Sequence, residues 1–104
     1  SAASDVYKRQ LLDRVQTVGS YLKKGLEKLK NRIPLIKEVR GKGLMQAIEL
    51  SIDGKPVVQD CLTRKVLINC TAERVLRFIP PLVISQKEVD QLLKVLSDVL
   101  LKRL

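Results

Sequence analysis

The chain has 104 residues, 20 of them basic and 11 acidic, with two cysteines, no histidine and 3% aromatic content. That length holds one small domain and not two. Without histidine there is no Ser-His or Cys-His pair and no histidine metal site, and no apolar run reaches the ~20 residues that span a bilayer.

The first ten residues stand apart. Ser1-Ala2-Ala3-Ser4-Asp5-Val6-Tyr7-Lys8-Arg9-Gln10 reads back as TCG GCA GCG TCA GAT GTG TAT AAG AGA CAG, which looks like a transposon-end adapter of sequencing libraries translated in frame. Residues 1–10 are therefore expected to be a non-native leader, outside fold reasoning, with the domain spanning 11–104. The remaining 94 residues carry 18 basic and 10 acidic side chains.

Leu11, Val15, Val18, Leu22, Leu26, Leu29 and Ile33 recur at steps of three and four, which predicts one apolar stripe on a helix over 11–33 that Pro34 ends. Lys23, Lys24, Lys28, Lys30 and Arg32 fall on its polar face. After Leu11 only Tyr21 and Phe78 are aromatic, too few to stack on unpaired bases, so solvated charge is a better account of the basic excess than nucleic-acid binding.

Leu35 to Arg40 reads as a strand with Leu35 and Val39 on one face, interrupted by Lys37. Gly41-Lys42-Gly43 supplies a hairpin turn into a second strand, Leu44 to Leu50. A nucleotide-binding GxGxxG is excluded because Gln46 stands where its third glycine would be.

Asp53-Gly54 marks a turn, and Pro56 suits the first position of a short helix with Val57, Val58, Cys61 and Leu62 inward. Cys61 and Cys70 are nine apart, matching neither a zinc knuckle nor a CxxC pair, and their apolar neighbours suggest buried, reduced thiols and a cytosolic compartment. Val66 to Asn69 and Val75 to Ile79 read as the third and fourth strands. Ser85 with Glu88 forms a capping box, and Ile84 with Val89 a hydrophobic staple, for a last helix carrying Val89, Leu92, Leu93, Leu96, Val99 and Leu100. The order helix-strand-strand-helix-strand-strand-helix predicts an α+β two-layer domain, a short sheet covered by amphipathic helices.

One polar residue breaks the pattern of its element. In Val75-Leu76-Arg77-Phe78-Ile79-Pro80-Pro81-Leu82 an arginine sits inside a short apolar strand that two prolines stop. A guanidinium stays charged and presents a rigid fork of donors suited to a carboxylate or phosphate. Arg77 is either a structural ion-pair partner or a clamp for a substrate carboxylate, and residue types alone favour the structural role.

Leu67-Ile68-Asn69 through Arg77-Phe78-Ile79-Pro80-Pro81-Leu82, with Val39-Arg40-Gly41-Lys42-Gly43-Leu44-Met45 and the capped last helix, resembles the C-terminal small domain of class III pyridoxal-phosphate aminotransferases, the acetylornithine aminotransferases in particular. The resemblance covers nearly all of residues 11–104. One departure is Lys65, where these enzymes usually have a glycine that ends the short helix in a left-handed conformation. The resemblance implies a fold-type I small domain, pyridoxal 5'-phosphate as cofactor, and Arg77 as the residue that binds the substrate α-carboxylate. It implies a cytoplasmic homodimer of arginine biosynthesis that exchanges an amino group between N-acetylornithine and 2-oxoglutarate or glutamate, with neither nucleic-acid nor membrane partners. The Schiff-base lysine and the cofactor-binding residues would lie in a large domain upstream, so no catalytic, cofactor-binding or metal residue is expected here, and no activity of the chain alone. The alternatives are a class III enzyme acting on ornithine, 4-aminobutyrate or succinylornithine, and a free-standing basic α+β binding module.

Overall fold

The computed structural model describes residues 2–78 and 85–104. Seven elements follow the predicted order: α1 (Ala2–Arg32), β1 (Ile36–Lys42), β2 (Met45–Leu50), α2 (Lys55–Thr63), β3 (Ile68–Thr71), β4 (Val75–Phe78) and α3 (Gln86–Leu101). Ile79, Pro80, Pro81 and Ile84 lie outside the described residues, and with them the strand stop and the hydrophobic staple.

The strands form one sheet in the order β1-β2-β4-β3, each neighbouring pair antiparallel. β2 and β3 therefore run parallel on either side of β4, and α2 makes the crossover that parallel strands require. Alternation along the strands sends Ile48 and Leu50, Leu76 and Phe78, and Ile68 to one face, where all are buried. Leu22 and Leu26 of α1, Ile33 just after it, Val57 and Cys61 of α2, and Val89, Leu96 and Leu100 of α3 close over that face. The result is the two-layer α+β domain expected from the order of elements.

α1 begins nine residues earlier than predicted, at Ala2 rather than Leu11. Ala, Lys, Arg and Gln extend an existing helix at little cost per residue, so the run needs no apolar contact to continue. Residues 4–14 are all exposed, and the stripe predicted from Leu11 is buried only from Val18 onward. At 1.5 Å per residue the 31 residues of α1 extend about 46 Å, which accounts for most of the 52 Å long dimension of the molecule.

Lys37 interrupts the first strand because it is the extra residue of a β-bulge. Ile36 pairs with Leu50 and Glu38 with Glu49, so two steps on β1 match one on β2. The bulge puts Ile36 and Val39, three apart, on the same inner face, and leaves Leu35 partly buried before the strand begins. The hairpin turn also lies two residues beyond its predicted place. Gly41 and Lys42 still pair with β2, and the loop is Gly43–Leu44. Glycine is needed at 41 because φ is 105° and a Cβ would come within 2.1 Å of the Met45 carbonyl oxygen.

Local end signals read as predicted. The Ser85 hydroxyl accepts from the Glu88 backbone N–H at 3.2 Å, and it also donates to the Glu88 carboxylate, which turns to the hydroxyl. At the end of α2, Lys65 adopts φ 64°. Its N–H donates to the Leu62 carbonyl at 2.9 Å, and Val66 N–H reaches the Cys61 carbonyl at 3.0 Å, with Cys61 and Val66 both buried. This is a Schellman motif with lysine in the glycine position. Arg64 to Asp98 at 2.8 Å fastens α2 to α3, and the Tyr21 hydroxyl donates to Asp90, fastening α1 to α3.

Candidate functional site

The face of the sheet away from the helices is polar, and one row crosses all four strands. Arg40 of β1 pairs with Ala47 of β2, Ala47 with Arg77 of β4, and Arg77 with Asn69 of β3. Directly opposed residues of antiparallel strands share a face, with Cβ atoms about 4.5–5.5 Å apart. Arg77 is therefore an outward residue of an inner strand, between inward Leu76 and Phe78, with a methyl group on one flank and a carboxamide on the other.

The two arginines of this row differ in what surrounds them. Arg40 donates from Nε and Nη2 to the Glu38 carboxylate at 3.1 and 3.0 Å, and from Nη2 to Glu49. Lys37 adds a longer contact to Glu49, 3.9 Å. Hydrogen bonds to Glu38 first, then Glu49, raise the pKa of Arg40 above its already high ordinary value. Arg77 is exposed, and among the described residues it has neither a hydrogen-bond nor an ion-pair partner. Of the two roles open to Arg77, the structural ion pair is thus the one Arg40 fills.

Sequence reading missed Gln46 as a structural tie. It is buried, and its Nε2 donates to the Gly19 carbonyl at 2.7 Å and the Gly43 carbonyl at 2.5 Å. The signal was present: Gln46 is in phase with the inward Ile48 and Leu50. Gly19 lets the hairpin approach α1 this closely, since a Cβ there would come within 2.6 Å of the Gly43 carbonyl oxygen. Beside this contact is an open cleft of about 530 Å³, with Ser20, Lys23, Lys24 and Lys42 in its walls.

Among the described residues every lysine is exposed except Lys23, which is half-buried and donates to the Gly41 carbonyl at 3.0 Å. A Schiff-base lysine is activated by desolvation or a neighbouring cation, and no lysine here lies in a dry pocket. These residues do not fit a pyridoxal-phosphate site. The cysteines are free, and they differ: Cys61 is buried as expected, whereas Cys70 is half-buried and its thiol lies 3.4 Å from the Glu73 carbonyl oxygen. Burial chiefly, and the Asp60 charge, push the Cys61 thiol up to about 11. Among the described residues no helix is long and apolar enough to cross a membrane.

The helix-covered antiparallel sheet, with its polar row on the open face, is a subdomain of the aminotransferase type. The sequence profile of the family described as Aminotransferase class-III matches residues 4–100, and the chain belongs to that family. It is 40% identical over 98 residues to an acetylornithine aminotransferase of Caldanaerobacter subterraneus subsp. tengcongensis, covering 93% of this chain and 25% of that protein. It is 42% identical over 100 residues to ornithine aminotransferase 1 of Staphylococcus aureus, covering 95% and 25%. The crystal structure of acetylornithine aminotransferase from Elizabethkingia anophelis superposes with a TM-score of 0.81 at 26% identity, covering 93% of this chain and 27% of that one. The chain thus spans about a quarter of the length of the relatives it matches.

Proposed function

We propose that residues 11–104 are the C-terminal small domain of a pyridoxal-phosphate transaminase, and that Arg77 is its clamp for a substrate carboxylate. The observation that carries this reading is the exposed guanidinium of an inner strand, without a partner among the described residues, in a row whose other arginine is held by two carboxylates. When bound, the cofactor acts as the electron sink of the reaction, and the protein supplies orientation. A bidentate salt bridge to a carboxylate next to the reacting carbon limits rotation about that carbon, and such positioning lowers the barrier by several kcal/mol. The cofactor lysine belongs to the part of the enzyme outside this chain.

The matched acetylornithine aminotransferase supports N-acetylornithine as amino donor; 2-oxoglutarate as acceptor and a cytoplasmic homodimer of arginine biosynthesis complete the reading we propose. The S. aureus match supports ornithine as the second reading. Steady-state comparison of the two donors on the complete enzyme decides between them.

The test of the clamp is Arg77→Lys in the complete enzyme. It keeps the charge and loses the planar fork. Loss of a bidentate charged contact costs about 2–4 kcal/mol, which is about thirtyfold to nearly a thousandfold in kcat/KM for 2-oxoglutarate. The cofactor absorbance should be unchanged. Intact kcat/KM together with a lowered melting temperature would return Arg77 to a structural role.

A further inference from the structure

Asn69 is the other polar side chain beside Arg77. It lies on β3 directly opposite Arg77, it is exposed, and among the described residues it has no hydrogen-bond partner. Asparagine is a poor strand former, so backbone preference does not account for it in a four-residue strand. On the far side of Arg77 stands Ala47, whose methyl group leaves room beside the guanidinium.

The other end of the row shows what an acid would do in this position. Glu38 and Glu49 occupy the Arg40 guanidinium. An aspartate at position 69 would occupy Arg77 in the same way. Asparagine has the same shape without the charge, and it brings both an acceptor and a donor. A carboxylate offers about four lone-pair sites, of which a bidentate guanidinium takes two.

We propose that Asn69 is a positioning and specificity residue for the carboxylate held by Arg77: its carboxamide oxygen accepts from the guanidinium, and its Nδ2 donates to the bound carboxylate. This rests on the clamp reading of Arg77. It assigns the site to the 2-oxoglutarate and glutamate half of the reaction, in which the carboxylate adjoins the reacting carbon, because a third donor fixed to the same strand pair suits a carboxylate held at that one place.

The experiment uses the complete enzyme with 2-oxoglutarate as probe, and Asn69→Ala, Asn69→Asp and Arg77→Lys in parallel. Asn69→Ala should raise KM about tenfold, the worth of one hydrogen bond to a charged group. Asn69→Asp should raise it more than about thirtyfold, because it both pairs with Arg77 and repels the substrate. In both variants kcat should stay within about threefold, so that the loss is one of binding carried equally into the transition state. A merely structural asparagine would move the melting temperature without this split. If Arg77→Lys loses kcat/KM while both Asn69 variants keep the parental KM, this inference is overturned and the clamp stands. If Arg77→Lys changes nothing, the clamp fails and the role of Asn69 with it.

Discussion

Arg40 and Arg77 stand in one row of one sheet, separated by a single alanine, and they have opposite surroundings. Arg40 is on an outer strand with two carboxylates on its guanidinium; Arg77 is on an inner strand with none among the described residues. A residue on an inner strand is held from both sides, so its Cα is the better fixed of the two. The difference shows how one surface can use the same side chain twice. Arg40 is neutralised in place by its two carboxylates, whereas the residues directly opposite Arg77, Ala47 and Asn69, are uncharged.

The largest effect expected from breaking this comparison comes from the residue next to Arg77. Leu76 points into the core and is fully buried. Leu76→Ala should destabilise the chain by about 2–5 kcal/mol, the range for emptying a core leucine site, seen as a lower denaturant midpoint. A loss under about 1 kcal/mol would mean that β4 is not packed as described.

The same buried side contains a titrating group. The Cys61 thiol, ordinarily near 9, is raised to about 11 mainly by burial. The unfolded chain therefore loses this proton first. The contribution is fully present below about pH 9 and is lost as pH rises toward about 11. The difference in melting temperature between the parent and Cys61→Val should change in that window and stay flat below it. A flat difference throughout would remove Cys61 from the account.

Lys65→Gly sharpens the contrast from the fold side, by relieving a left-handed residue at the α2 end. The conformational cost of a non-glycine residue there is about 1–2 kcal/mol, part of which glycine returns through its freer unfolded state, so a net gain of about 0.5–1 kcal/mol is expected. No gain in a thermal melt would show that the lysine side chain makes good the strain. The smallest effect belongs to Arg40→Met. The guanidinium and Glu38 are solvent-exposed and Glu49 is half-buried, so the loss should be about 1 kcal/mol or less, with kcat/KM of the complete enzyme unchanged. A drop in kcat/KM like that expected of Arg77→Lys would erase the distinction between the two arginines.

Much of this was legible in the chain because it is local. Apolar spacing marked three helices and four strands, and Ser85 with Glu88 marked the start of α3, whereas the left-handed end of α2 at Lys65 was expected only from the family resemblance. The non-local features were not. The bulge at Lys37 and the turn at Gly43–Leu44 depend on which β2 residue each β1 residue meets, and periodicity is silent on pairing. The placement of β4 between β2 and β3 is likewise a long-range outcome. Arg77 was identifiable as an anomaly of its strand. Its lack of a partner among the described residues, and Asn69 and Ala47 at its flanks, came only with the structure.

The order of the strands has one more consequence, for how this sheet can meet another chain. Its two edges are β1 and β3. An edge strand exposes unpaired backbone groups that invite strand addition, and nature blunts it with charge, with bulges or with brevity. β1 has all but the last: Lys37, Glu38, Arg40 and Lys42 along seven residues, and a bulge at Lys37. β3 has only brevity, four residues without a charge. Both rims are thus poor templates for a foreign strand.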